Sequence, residues 1–460
     1  MNHAEHREQS TEYRKRDGRG RLFPVLCALL SVLCLCGMAP SAKKKVFIKT
    51  LKDGHYQLIV AGRPFIVKGV CYDPIPVGKT HDYDFWNDPA QPWLADGELM
   101  KKMGVNTVRF YQPGEDVEAM RRVISDLYKK FGIRTMMGHW LGFWNYPAPF
   151  YDDQDFRNKV KADVLALVEA LKNEEGILFW VLGNENNYSF SGKINPWSSE
   201  RIDKMQDPRQ CLLARAETYY TLVNEIAREI HKIDPNHPVV MGNGELVCLD
   251  VANISAKDVD IVGCIIYRGK TFGNIFKSMK NTFDKPLLFV EFGADAYNAY
   301  EKKEDEDMQA YFLEYQWAEI YHNLAGNRDG VGNCIGGVMF EWTDEWWKHN
   351  EWDAAGWLTH DTESNWSNGA YYFDIKADRN MNMNEEWFGL VKLLPEEGAA
   401  SSGQALNKRV PRKAYYAIRE FWKHPSKTSS IKVPERSGPG GKQESNAGAK
   451  SPGTPFQRHT

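Results

Sequence analysis

Two glutamates each stand at the close of an apolar, β-type run: Ile177-Leu-Phe-Trp-Val-Leu-Gly-Asn-Glu185 and Pro286-Leu-Leu-Phe-Val-Glu291-Phe-Gly-Ala294. A carboxylate placed where a buried strand opens onto a loop is costly to desolvate, so a chain that twice ends such a strand in Glu has a use for both. Paired across one mouth, they would supply double-displacement chemistry on a glycoside. One carboxylate attacks the anomeric carbon while a protonated partner about 5 Å away donates to the departing oxygen. Mutual repulsion would keep one of the pair protonated while the other is charged. Once the charged one becomes a neutral ester the repulsion vanishes, and its partner can lose its proton and serve as base.

Each glutamate also has a structural reading. Glu185 could instead be a loop carboxylate capping the next helix, and Glu291 a salt-bridged residue of a barrel rim, readings that rank below the catalytic one. Glu245, Glu341, Asp344 and Glu345 lie at or near other strand ends and are rivals for a catalytic role. They rank lower because none follows the pattern of the leading pair. Arg109, closing Asn106-Thr-Val-Arg109-Phe-Tyr111, is expected to hold a carboxylate, with the choice of carboxylate open. His139 and Tyr267 also fall at strand ends, where an aromatic ring often simply plugs a barrel.

The elements that must position these groups are legible as alternation. Apolar strand-like runs end near Val70, Phe110, Gly138, Leu182, Met241, Ile266, Val290 and Phe340. Between them, Ala95 to Met103, Val117 to Lys130, Phe156 to Asn173, Leu212 to Ile233 and Gln309 to Leu324 carry apolar residues at three and four spacing. Eight such alternations predict an α/β fold, a closed (β/α)8 TIM barrel whose site lies at the C-terminal strand ends. Residues 45–62 read as a short N-terminal β-hairpin and residues 63–424 as the barrel domain. A last helix is predicted from Pro411 to Trp422, with proline in its first turn. Residues 425–460 are rich in Ser, Gly, Pro and Lys, and are expected to be a disordered tail.

The chain has 460 residues, 42% of them hydrophobic and 13% aromatic, enough for one large core. A formal charge of −3 gives no reason to expect nucleic acid or an anionic membrane as a partner. Arg14, Lys15, Arg16, Arg19 and Arg21 precede an apolar run from Leu22 to Ala39 and then small residues at Ser41 and Ala42. That order marks residues 1–42 as an export signal, cleaved or retained as a membrane anchor, with the barrel outside the cytoplasm: periplasmic, secreted or anchored. The remaining cysteines, Cys71, Cys211, Cys248, Cys264 and Cys334, lack CxxC spacing and mostly sit in apolar runs, so thiols are expected. No metal-ligand spacing, phosphate loop or nucleotide fingerprint occurs, and a reaction without metal or cofactor is expected. The triplets beginning at Asn187, Asn253 and Asn365 match the glycosylation acceptor pattern, which chance readily supplies.

Position after position, the strand ends resemble glycoside hydrolase clan A, the retaining (β/α)8-barrel glycosidases. In that clan an Asn-Glu pair on strand four provides the acid/base and a Glu on strand seven the nucleophile. A Tyr or His on strand six partners the nucleophile, and a Trp on strand eight is a platform for the sugar. The resemblance therefore implies Asn184, Glu185, Tyr267, Glu291 and Trp342 in those roles, with Arg109 and His139 as supporting polar residues. It covers roughly residues 63–424. Gly62-Arg-Pro-Phe-Ile-Val-Lys-Gly-Val70 looks like the start of the catalytic barrel of family 2 glycosidases. Gly104-Val-Asn-Thr-Val-Arg-Phe-Tyr111 and Gly336-Gly-Val-Met-Phe-Glu-Trp342 look like β-1,3-glucanosyltransferases of family 72. The chain departs from the first in lacking a sandwich domain before the barrel, and from some of the second in lacking a cysteine-rich module.

A long stretch from Trp342 to Trp387 includes Trp346, Trp347, Trp352, Trp357, Trp366, Tyr371 and Tyr372, and a loop of that length is usually functional. With Trp86, Trp93, Trp140 and Trp144 it reads as the walls of a saccharide cleft or, equally, as a private mini-core over the barrel mouth. The leading expectation is an exported retaining glycoside hydrolase acting on a β-linked oligo- or polysaccharide. A transglycosylase on the same site, a catalytically inactive carbohydrate-binding barrel, and an unrelated barrel enzyme abstracting protons through Glu185 or Glu245 are the alternatives.

Overall fold

A computed structural model describes residues 45–143, 150–192, 194–298, 302–348, 354–362, 384–395 and 407–425. The expected export signal, the tail beyond Pro425, Trp144, Trp352, Trp366, Tyr371, Tyr372 and the Asn365 triplet lie outside these residues.

The chain begins with an antiparallel sheet of β1 (Val46–Thr50), β2 (Tyr56–Val60) and β3 (Arg63–Pro64), in which Val46 pairs with Val60. The expected hairpin is present, with a short third strand added. There follow β4 (Val67–Cys71), α1 (Pro92–Met103), β5 (Thr107–Phe110), α2 (Val117–Phe131), β6 (Arg134–His139), α3 (Gln154–Leu171) and β7 (Ile177–Leu182). Next come α4 (Glu200–Asp203), α5 (Pro208–Ile233), β8 (Val239–Gly244), α6 (Leu249–Ser255), β9 (Ile261–Ile266), α7 (Ile275–Thr282) and β10 (Leu287–Phe292). Two small strands, β11 (Tyr297–Asn298) and β12 (Lys303–Glu304), precede α8 (Glu306–His322) and β13 (Cys334–Met339). A hairpin of β14 (Val391–Leu394) and β15 (Lys408–Pro411) leads into α9 (Lys413–Lys423).

Strands β4 to β10 and β13 close into an eight-stranded parallel barrel in the order β10-β13-β4-β5-β6-β7-β8-β9. It is the (β/α)8 barrel the alternation predicts. Every residue of β7, β8, β9, β10 and β13 is buried, as expected of parallel strands with helices on one side and a packed interior on the other. One apolar cluster joins strand residues such as Val67, Met136, Leu178, Val240, Leu288 and Val338 to Val46, Leu58 and Val60 of the small sheet. That sheet covers the N-terminal end of the barrel. The Val46 amide donates to Asn236 O ahead of β8, and the Tyr56 amide to Gly332 O ahead of β13. The opposite end is left for the site.

First and last barrel strands meet where Val67 pairs with Gly336. Gly336 has φ +128°, and a Cβ there would lie 2.2 Å from the Val67 carbonyl oxygen, so only glycine lets the two backbones approach. Helix boundaries follow local chemistry. Asp116 caps α2 by accepting from the Glu118 and Ala119 amides, and Gly132 ends that helix in a left-handed conformation.

One boundary differs from expectation. Pro411 ends β15 and does not open the last helix, because residues 408–411 pair with 391–394. Arg412, next in the chain, donates its amide to Leu390 O, which delays the helix until Lys413. Cys71, Cys264 and Cys334 are buried free thiols, and Cys211 and Cys248 are half-buried free thiols. Asn187 is buried and hydrogen-bonded, whereas Asn253 is exposed. Among the described residues, no helix is long and apolar enough to cross a membrane.

Candidate active site

Four strands deliver one polar cluster to the C-terminal mouth. Glu291, near the end of β10, is 7% exposed and receives three side-chain donors. Tyr267 Oη donates to Oε1 at 2.6 Å, Tyr111 Oη to Oε2 at 2.6 Å, and Arg109 Nη1 to Oε2 at 3.2 Å. Burial, together with the nearby charge of Glu291, raises both tyrosines well above their ordinary range, so each remains a protonated donor. Arg109 is itself buried and spreads its guanidinium between Glu291, the Val290 carbonyl at 2.9 Å and Asn184 Oδ1 at 2.5 Å. The carboxylate Arg109 holds is thus that of Glu291, and the same cation ties the end of β5 to those of β7 and β10.

The turn that presents Glu185 is pinned residue by residue. Gly183 has φ +79°, and a Cβ there would meet Tyr219 Oη at 2.1 Å and Asn186 Oδ1 at 2.7 Å, so the strand can leave the barrel this way only through glycine. Asn186 Oδ1 accepts from the Asn184 amide at 2.7 Å, while its Nδ2 donates to Trp140 O and Tyr151 Oη at 2.9 and 2.7 Å. Asn187 exchanges two 2.8 Å bonds with the Gly244 backbone at the end of β8. Glu185 between them adopts φ +60°, a left-handed conformation that costs a non-glycine residue about 1 kcal/mol or more. The surroundings hold it there.

Burial, followed by the negative charges of Glu291 and Glu385, raises the Glu185 carboxyl well above the usual carboxylate range, while Arg109 and Lys348 pull it down. The two glutamates are therefore in electrostatic contact and unequal. Glu291 is supplied with donors suited to an anion; Glu185 is placed where it keeps a proton.

His139, at the end of β6, is half-buried, and burial pushes it down to about 4, so it is neutral at physiological pH. Its Nδ1 accepts from the Leu141 amide at 3.0 Å, which places the ring proton on Nε2. It supports the β6 exit, since its carbonyl also accepts from Gly183 N at 2.9 Å. Trp342 is different. Its ring is 0% exposed and lies 6.2 Å from Tyr415 of α9, so this indole is packed inside. Phe340, two residues earlier, stands edge-on to Tyr267 at 6.3 Å.

Several expected cleft walls are core. Trp93 is fully buried and donates to Asp126, and Trp86 stacks on Phe85. Trp346 stacks on His360 at 4.2 Å, and His360 on Trp387 at 3.9 Å, a stack of half-buried rings in the described part of the long loop. Trp140 remains half-buried at the mouth, 6.4 Å from Tyr111. Of the rival carboxylates, Glu245 is held by Arg268, and Asp344 accepts from Arg412 Nη1 and Nη2 at 2.5 and 2.9 Å, a buried structural pair. Sequence reasoning did not single out Tyr111, though its place two residues beyond Arg109, on the same face of an extended chain, was available as a signal.

No family model matches the chain. Over 343 residues it is 25% identical to 1,3-beta-glucanosyltransferase gel2 of Aspergillus fumigatus, an alignment covering 71% of this chain and 62% of that relative. It is 32% identical over 92 residues to 1,3-beta-glucanosyltransferase GAS4 of Saccharomyces cerevisiae, 19% of this chain and 18% of that one. The chain thus spans less than two thirds of the length of these curated relatives. Among solved structures, Bacteroides uniformis beta-glucuronidase 2, covalently bound to cyclophellitol-6-carboxylate aziridine, aligns with a TM-score of 0.51 at 17% identity, covering 82% of this chain and 37% of that one. At such identity the likeness is one of fold. The resemblance to clan A barrels read from the strand ends is borne out by distant sequence similarity to the glucanosyltransferases and by the shared barrel.

Proposed function

We propose that this chain is a retaining enzyme of β-linked oligo- or polysaccharides, with Glu291 as nucleophile and Glu185 as acid/base. The observation that carries the reading is the unequal treatment of two neighbouring carboxylates. Glu291 is given two phenol donors and a guanidinium, whereas burial and the charge of Glu291 keep Glu185 protonated.

In the first step Glu291 attacks the anomeric carbon, the bond to the departing oxygen breaks, and Glu185 passes its proton to that oxygen. The anionic carboxylate becomes a neutral ester, the repulsion that kept Glu185 protonated ends, and Glu185 can take a proton from the incoming hydroxyl. Asn184, its carbonyl engaged by Arg109, keeps its amide hydrogens for the sugar hydroxyl beside the anomeric carbon, a contact that strengthens as positive charge develops on the ring. His139 holds the exit of β6.

A second reading, transfer to a sugar hydroxyl in place of water, is favoured by the glucanosyltransferase names of the curated relatives. Products longer than the starting oligosaccharide mark transfer, and only shorter ones mark hydrolysis. The basic and apolar order of residues 1–42 supports action outside the cytoplasm.

The decisive experiment is incubation with 2-fluoro-sugar inactivators of several configurations, followed by mass spectrometry of the labelled peptide. A label on Glu291 is expected. A label elsewhere, or full turnover by Glu291→Gln, ends the proposal.

A further inference from the structure

Next to Glu291 the mouth carries a second set of carboxylates, gathered round the ammonium of Lys348. Strand β13 lies between β10 and β4, so the residues that follow it stand beside the ends of both. Glu341, Glu345 and Lys348 come from this segment, Asp73 follows β4, and Glu385 opens the turn Glu385–Trp387. Lys348 Nζ lies 3.0 Å from Glu345 Oε2 and 3.2 Å from Glu385 Oε2. The same ammonium stands 5.7 Å from the ring centre of Phe340 and 5.1 Å from that of Trp347. Through Phe340 and Tyr267 this group adjoins the nucleophile's own partners.

Among the described residues, Lys348 is the cation paired with these carboxylates. Glu341 is 1% exposed, and its Oε1 has no hydrogen-bond partner among the described residues; burial and then Glu345 raise it well above the ordinary range. Burial pushes Glu345 up to about 7 and Asp73 up to about 6. Lys348, though disfavoured by burial, is raised by Glu345, Glu385 and Glu341, and stays charged.

The groups that act on Glu185 come from four places: Glu291 on β10, Arg109 on β5, Glu385 in its turn and Lys348 after β13. Arg109 is already committed to Glu291, Val290 and Asn184. During the first chemical step the negative charge leaves Glu291, as its oxygen bonds to the anomeric carbon, and appears on Glu185, as the proton departs with the leaving group. In the second step the ester bond breaks, the charge returns to Glu291, and the proton of the incoming hydroxyl returns to Glu185. The first transit thus moves charge away from the donors of the nucleophile and onto a carboxyl that Lys348 and Glu385 both act on, and the second reverses it.

Resting on the reading of Glu185 as acid/base, we propose that Lys348, clamped between Glu345 and Glu385, is a positioning residue that balances the charge on Glu185 as that carboxyl gives up and regains its proton. Removing the cation must make Glu185 hold its proton more tightly, and removing the Glu385 charge must do the reverse. A residue that only props the loop would not produce shifts of opposite sign.

The test is carbon-13 NMR of the full chain labelled at the glutamate carboxyl carbons, with the Glu185 resonance identified by its loss in Glu185→Gln. The Glu185 midpoint is expected to rise by about one pH unit in Lys348→Met and to fall by about half a unit in Glu385→Gln. Lys348→Arg should leave it near its original place. The alkaline limb of kcat/KM on the sugar identified by labelling should follow the same order. Midpoints that stay put in Lys348→Met and Glu385→Gln, or move in the same direction, overturn the proposal. If Lys348→Met does not fold, Glu385→Gln decides alone, since its midpoint must fall. A Glu185→Gln enzyme that keeps the alkaline limb and full activity would instead sink the acid/base reading on which this rests.

Discussion

The two carboxylate clusters at the mouth of the barrel are both built round glutamates and supplied in opposite ways. Around Glu291, two phenols and a guanidinium converge on one carboxylate. Around Lys348, one ammonium is shared by Glu345 and Glu385, while an oxygen of Glu341 has no partner among the described residues. The difference teaches that donor supply, more than residue identity, decides which buried carboxyl is an anion and which holds a proton. Asp344, in the same segment as Glu345, shows the third outcome. Matched bidentately by Arg412, it is an anchor of the fold.

The largest expected effect that would sharpen this contrast is at the donor-rich cluster. Glu291→Gln should lower kcat/KM by about 10⁴-fold or more, as loss of a nucleophile does, with an unchanged circular dichroism spectrum. Comparable loss in Glu345→Gln would break the contrast outright. Glu185→Gln should cost about 10²–10⁴-fold on substrates with poor leaving groups. Much of that should return when an activated aryl group, needing no proton, is the one that departs. Tyr267→Phe and Tyr111→Phe remove single donors from Glu291, and each should lower kcat by about 10²-fold. If either is silent, donor supply is not what holds the anion.

The smallest effect lies at the donor-poor cluster and is read in stability. The folded state holds the Glu345 proton up to about 7, above the ordinary carboxylate value. The stability this contributes is present below that ordinary value and is lost as pH rises through 7. The wild type should therefore melt lower at pH 8 than at pH 5, and Glu345→Gln should narrow the gap by about 2–4 °C in calorimetry.

Much of this was written in local sequence. The buried runs of β7 and β10 are apolar over nearly their whole length, and the expected ends at Phe110, Leu182 and Ile266 coincide with the observed ones, because parallel strands covered on both faces leave no alternation to misread. Glu185, Glu291 and Arg109 were recognisable because chemistry and strand end coincide in one motif. What escaped depends on long-range pairing. The β14–β15 pair joins Val391–Leu394 to Lys408–Pro411 across residues 395–407, a separation that no local pattern reports, which is why Pro411 looked like a helix start. The burial of Trp342 follows from α9 returning against the barrel. The Lys348 cluster is drawn from β4, the β13 exit and a later turn, and no periodicity reports such a meeting.

The glycine-dependent contact of β13 with β4 also closes the ring that, on the proposed assignment, carries the chemistry. Until the last barrel strand is in place, β10 and β4 are open edges, and Arg109 on β5 is tied to Glu291 on β10 only the long way round the sheet. On that assignment a chain still lacking β13 would hold Glu185 and Glu291 without an assembled centre, and competence would come with closure of the ring. A bulkier residue at Gly336 would delay that closure without touching a single group at the mouth.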